Sequence, residues 1–243
     1  MTTKPCCDAG PPVTIKHEDK GKEIKLGELT AYVSGDPASA KAGVILFYDI
    51  FGLKHPQVRE ICDRFAARGY YVVMPDVFRG DPWTLEKFPP KDKTEFQAFL
   101  KRSNDAAPGD IETVKAHFKE VGLGDKKHGV LGFCWGGKWV VEACADESFG
   151  AGLAAHPAFI TLDMVKKVHC PIVFCPAGGD VDCAPFVEHL KKQPWGAKSQ
   201  EKRFEDMTHG FCAARGDWSD PNVSEAVHQV LGLGLDLFDA TLA

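Results

Sequence analysis

The chain has 243 residues, 44% of them hydrophobic and 26% charged, with a formal net charge of −5. That size and balance fit a folded α/β domain and exclude a disordered chain as the first expectation. The mild negative charge, with no long basic run, lacks the footprint of nucleic-acid binding, and no stretch reaches the roughly 18–20 apolar residues of a membrane span. Met1-Thr2-Thr3-Lys4-Pro5-Cys6-Cys7 has no apolar run of the kind a signal peptide carries, so a cytoplasmic location is expected. The nine cysteines are odd in number and irregularly spaced, which argues for reduced thiols over a disulfide framework. Cys170, Cys175, Cys183 and His189 lie near one another in sequence, but no pair has C-x-x-C spacing. Core thiols are expected there, and no metal.

Residues 1–22, rich in Pro, Gly and charge, read as an extended lead-in. Thr30-Ala31-Tyr32-Val33 alternates like an edge strand and runs into the turn Ser34-Gly35-Asp36-Pro37. Gly43-Val44-Ile45-Leu46-Phe47-Tyr48 is apolar throughout, as a strand covered on both faces would be. Val58, Ile61, Cys62 and Phe65 recur at helical spacing over 57–68, and Gly69 stops that helix. Tyr71-Val72-Val73-Met74-Pro75 is the next buried strand. Residues 76–108 carry Pro82, Pro89, Pro90 and Pro108 among several aromatics and read as a lid-like insertion with one helix near 93–102. A separate helix is expected over 111–121.

A strand at 128–133, a sharp turn and a helix at 136–144 follow. Further strands are expected at 150–156 and 171–176, a helix over 185–192, an extended run at 199–204 and a closing helix at 222–239. Strands alternating with helices, several of the strands wholly apolar, predict one α/β domain over residues 1–243. Its central sheet is mostly parallel, with helices on both faces. Ligands in such sheets sit beyond the carboxyl ends of the strands.

The turn after 128–133 reads Gly132-Phe133-Cys134-Trp135-Gly136-Gly137. A reactive side chain on a sharp strand-to-helix turn occupies a strained backbone region, so its neighbours two residues away must be nearly without side chains. The G-x-C-x-G spacing meets that need and offers backbone N–H groups at a helix N-terminus. A tight turn with a buried structural thiol would read the same way. A thiol nucleophile needs a base, and the base a group to orient it. Ala177-Gly178-Gly179-Asp180 follows one later strand and Met207-Thr208-His209-Gly210 another, in the order nucleophile, acid, histidine. Asp180 is the expected acid, with Asp182 two residues away, and His209 the expected base, with His156 its rival. Ile50, after the first buried strand, and Trp135 are the expected amide donors to an oxyanion. Asp49 beside Ile50 is a candidate to keep the thiol protonated until substrate arrives.

These segments, together with Asp49-Ile50-Phe51-Gly52, Pro75-Asp76-Val77-Phe78, Gly80-Asp81-Pro82-Trp83 and Thr208-His209-Gly210-Phe211, resemble the dienelactone hydrolase family. They are most similar to its eukaryotic carboxymethylenebutenolidase-like branch. The resemblance runs from about residue 5 to the C-terminus. It implies an α/β-hydrolase fold, a triad of Cys134, Asp180 and His209, and hydrolysis of cyclic enol-lactones or related activated esters through an acyl-cysteine. Asp49 stands where bacterial members have a glutamate that contacts the resting thiol. Ala213 stands where they carry a substrate-binding arginine, and Arg215 is the nearest replacement. Trp83, Phe88 and Phe211 are the candidate pocket-lining aromatics; Arg79, Lys87 and Lys91 are further candidate cations.

The expected function is therefore a cysteine-dependent hydrolase acting on a small-molecule lactone or ester, with no cofactor and no nucleic-acid or membrane partner. It would be a monomer or weak homodimer. A thioesterase or general carboxylesterase is the alternative within catalysis. A redox-responsive binding protein that senses oxidant through Cys134 is the alternative outside it.

Overall fold

Largely apolar runs become strands in which every residue is buried. These are β3 (Gly43–Phe47), β4 (Tyr71–Pro75), β5 (His128–Phe133) and β7 (Ile172–Cys175). The structure, a computed structural model, describes residues 10–242; Cys6 and Cys7 lie outside them. With β1 (Lys22–Leu26), β2 (Leu29–Ser34), β6 (Phe149–Ala155) and β8 (Gln200–Glu201), they form one sheet in the order β1-β2-β4-β3-β5-β6-β7-β8. β1/β2 and β2/β4 pair antiparallel and every later pair is parallel. The mostly parallel sheet expected from sequence is thus present.

Helices cover both faces. They are α1 (Pro56–Ala67), α2 (Lys93–Glu120), α3 (Trp135–Ala143), the short α4 (Leu162–Val165), α5 (Ala184–Lys191) and α6 (Pro221–Thr241). Successive side chains of a strand point to opposite faces, and β6 displays this directly. A Cβ on Gly152 would lie 2.6 Å from Val140 of α3, whereas Leu153 packs against Gly234 of α6. Phe118 of α2 fills the space over Gly43 on the α3 side, while Phe65 of α1 meets Phe238 of α6 on the other. Among the described residues, no helix is long and apolar enough to cross a membrane.

Three elements differ from the sequence expectation. The edge strand is β1, which pairs outside β2 through Ile24↔Ala31 and Glu23↔Tyr32. Its charged Lys22, Glu23 and Lys25 suit an exposed edge and interrupt the apolar pattern by which the other strands are read. The residues before it, 10–21, form no helix or strand, yet they are tied down. The Val13 N–H donates to the Ala214 carbonyl at 2.8 Å and His17 bonds the buried Asp63 at 2.7 Å. Finally, the two helices expected around Pro108 are one. Phe96, Phe99, Ser103, Ala107, Asp110, Ile111, Val114 and Phe118 form a buried stripe at spacings of three and four that passes through the proline unbroken.

Tertiary packing on both sides of Pro108 therefore outweighs its missing N–H. Proline costs up to about 3 kcal/mol relative to alanine inside a helix, partly offset by its lower unfolded-state entropy. Pro108 is exposed. Replacing Pro108→Ala should raise stability by about 1–2 kcal/mol, read as a higher urea midpoint with an unchanged slope.

Candidate active site

β5 ends at Phe133, and the chain turns into α3 at Cys134, whose φ of 54° and ψ of −114° lie in the left-handed half of backbone space. The flanking glycines explain how this is tolerated. A Cβ on Gly132 would stand 2.2 Å from the Gly136 carbonyl oxygen, and one on Gly136 would stand 2.3 Å from that of Phe47. No other residue fits either position without displacing backbone. The turn is thereby pressed against the end of β3, whose next loop carries Asp49 and Ile50. The Cys134 side chain is almost fully buried, at 1% exposure.

The carboxyl ends of β7 and β8 supply the acid and histidine loops. His209 Nδ1 and Asp180 Oδ1 are 2.5 Å apart, with both side chains buried. The other Asp180 oxygen accepts the Ala177 N–H at 2.8 Å, which fixes the carboxylate's plane. Asp182 instead accepts the Ala184 N–H at 3.0 Å at the start of α5 and is exposed. Asp180, and not Asp182, is thus the carboxylate that meets His209. Arg203 braces the acid loop, donating to the carbonyls of Ala177 at 2.9 Å and Val181 at 2.8 Å. Sequence reasoning missed Arg203, because nothing local marks an arginine as a brace for carbonyls more than 20 residues away.

The rival histidine, His156, follows β6. It is fully buried, and its ring lies 5.2 Å from that of His209, nearly edge to face. Its Nδ1 accepts the Cys134 N–H at 3.1 Å.

Asp49 is 1% exposed, and burial pushes its carboxyl above the ordinary value against the pull of His55 and Arg215. One oxygen accepts the Phe51 N–H at 2.9 Å and the other the Ala214 N–H at 3.1 Å. One carboxylate therefore fastens the loop after β3 to the segment after His209. Among the described residues, neither the Ile50 nor the Trp135 N–H has a protein acceptor, so both amides remain able to donate. The Ile50 carbonyl accepts from the Trp83 N–H at 2.9 Å, which holds the loop.

The remaining candidates divide. The Arg215 guanidinium lies over Phe51 and Phe88, 5.9 and 5.3 Å from the ring centroids, beside Gly210. Phe211 packs on His156 at 5.7 Å. Trp83 is buried against Phe96 and Phe99 within the 76–108 segment, so its ring serves packing there. Arg79 is engaged by Asp110 through two bonds of 2.7 and 2.8 Å, Lys87 by Glu95, and Lys91 is exposed. Asn104 of α2 accepts from Trp135 Nε1 at 3.1 Å and so ties this helix to the turn, a contact no local pattern announced.

The sequence model of the dienelactone hydrolase family matches residues 29–242. A relative named as hydrolase pyvD, from Aspergillus violaceofuscus, is 32% identical over 251 residues, covering 100% of this chain and 99% of the relative. The human carboxymethylenebutenolidase homolog is 31% identical and is covered, like this chain, over 85% of its length. A solved putative dienelactone hydrolase from Klebsiella pneumoniae shares the fold with a TM-score of 0.64 at 17% identity, over 89% of this chain and 98% of that one.

The crowding at the turn makes a contrast between two glycines measurable. Gly136→Ala should lose about 1–3 kcal/mol through overpacking against β3. Gly232→Ala, in α6 with open space around it, should gain up to about 1 kcal/mol from helix propensity. Urea denaturation of the two variants side by side checks both signs.

Proposed function

The chain belongs to the dienelactone hydrolase family and is a hydrolase of carboxylic esters or lactones, and we propose that it works through Cys134 as a covalent nucleophile. The observation that carries this reading is the 2.5 Å bond between His209 and Asp180. It lies on the same sheet edge as a cysteine in left-handed backbone at a helix N-terminus.

In this mechanism His209 takes the thiol proton and the sulfur attacks the acyl carbon. Asp180 holds the imidazole with its Nδ1 proton toward the carboxylate, leaving Nε2 to receive the proton. The Ile50 and Trp135 amides donate to the oxyanion as it forms. The C–O bond of the ester breaks, the leaving oxygen takes the proton back from His209, and an acyl-cysteine remains. His209 then takes a proton from the attacking water, the C–S bond breaks, and the sulfur takes that proton back from His209 as the product acid leaves. Esters with a stabilised leaving oxygen, such as enol-lactones and aryl esters, suit this nucleophile because a thiolate is itself easily expelled. Asp49 serves first as the fastener between the two loops. With its carboxyl raised by burial, it is also the group assigned to hold the resting thiol protonated.

Arg215, flanked by Phe51 and Phe88, is the cation assigned to an anionic substituent of the substrate, two residues beyond the position the family resemblance singles out. Phe88 and Phe211 supply apolar surface around it.

Mass spectrometry after rapid quench with an aryl ester should find the acyl group on the peptide containing Cys134. Cys134→Ala should lower kcat/KM by about 10⁴-fold or more and Asp180→Asn by about 10³-fold; wild-type turnover by Cys134→Ala would refute the mechanism. Arg215→Met should raise KM about tenfold or more for a carboxylate-bearing ester, the loss of one charge-assisted hydrogen bond, and leave a neutral ester of the same leaving group little changed. Paired KM measurements on the two esters test it.

A further inference from the structure

Among the described residues, four besides glycine have positive φ, and two of these four, Cys134 at 54° and His156 at 35°, share a hydrogen bond. The sheet register brings them together. β5 and β6 pair with Phe133 beside Ala155, so the next residue on each strand is Cys134 and His156. Strained backbone persists only where its surroundings over-determine it, and the segment after β6 does that for the nucleophile on both sides. His156 Nδ1 accepts the Cys134 N–H at 3.1 Å, shorter than the 3.3 Å to the Ala155 carbonyl. The Ala158 N–H donates to the Cys134 carbonyl at 2.9 Å. Between them, Pro157 packs so closely that a Cβ on Gly137 would lie 2.7 Å from its own.

A backbone N–H can only donate. The Nδ1 facing it must carry a lone pair, so the imidazole is neutral with its proton on Nε2. Burial, then the neighbouring His209 and Arg215, push the His156 pKa well below its ordinary value, in the same direction. This arrangement separates the two histidines chemically. His156 has one nitrogen engaged and the other protonated, so it has no lone pair with which to take the thiol proton. Its Nε2 is buried without a protein partner among the described residues.

We propose that His156 is a positioning residue for Cys134: a neutral imidazole, locked in the Nε2–H form, that holds the amide of the nucleophile and thereby aims its sulfur. The proposal rests on the assignment of Cys134 as nucleophile. Misplacing a reacting group by about 1 Å costs on the order of 10²-fold in rate, which sets the scale of the effect. Asparagine at 156 can offer its Oδ1 where Nδ1 now stands and tolerates left-handed backbone. Leucine fills similar space without an acceptor.

The test has two arms on the full chain. The first follows acylation by a chromogenic aryl ester in the burst phase, normalised to titrated active sites. His156→Leu should acylate about 30–100-fold more slowly with KM changed less than about threefold, and His156→Asn should recover to within about threefold of wild type. Equal rates for His156→Leu and wild type, or an equal loss in both variants, would overturn the proposal. A purely structural role would lower Tm and leave the rate per active site unmoved.

The second arm needs no folded variant. In ¹⁵N-histidine-labelled protein the His156 ring should show a bare Nδ1 and a protonated Nε2, unchanged from pH 8 to pH 5. Among the described residues, the titratable and charged groups that act on it are Cys134 before α3, His209, paired with Asp180, and Arg215 beyond β8. A proton on Nδ1, or titration of His156 in that range, would overturn the proposal. If instead no acyl-Cys134 forms in wild type, the nucleophile assignment fails, and the tautomer measurement still decides the role of His156 at the turn.

Discussion

The left-handed backbone of Cys134 is the constraint on which the site depends. An L-residue there costs free energy of order 1–2 kcal/mol, and the fold meets the cost by clearing side chains from both flanks and gripping both peptide groups of the residue. The conformation lifts the side chain off the strand axis at the sheet's carboxyl edge and leaves the next amide at the open end of a helix. One turn thus sets both the Cys134 side chain and the Trp135 amide beside it.

The other site groups are held by connections of different kinds. His209 is oriented by Asp180, Asp180 by the Ala177 amide, and that acid loop by Arg203. The loop bearing Ile50 is fastened to the segment after His209 through Asp49. Each loop is thus fixed by polar bonds to another loop, while the strands beneath are fixed by apolar packing. A disturbance of Asp49 would be felt at two places at once: the amide of Ile50 and the approach of His209.

The legible part of this chain was the part dictated by local sterics and order. Gly132 and Gly136 at fixed spacing around Cys134 announce the turn because nothing else fits, and apolar runs announce strands buried on both faces. Chain order pointed to Asp180 and His209. It favoured Asp180 over the nearby Asp182, yet which of two carboxylates in one glycine-rich loop faces the histidine is held in the fold and not in the loop's sequence. His156 appeared as a competing base because its position is set by the register of β5 against β6, information held in pairing rather than in either strand. β1 went unread because an exposed edge selects charge, and Pro108 was read as a breaker because packing at both ends of a helix has no local signature.

That unbroken helix has a mechanical consequence. At 28 residues, α2 is a rod of about 42 Å. One end carries Phe96, Phe99 and Asn104 against Trp83, Phe78 and Trp135. The other seats Phe118 and His117 on Tyr71 and His128, at the amino-terminal ends of β4 and β5. A flap hinged by a loop moves independently of the core, whereas a rod moves as a lever. Small shifts in how Phe118 packs against Tyr71 and His128 would be carried along the helix to Asn104 and its bond with Trp135, so the setting of the turn at Cys134 depends in part on residues far from it.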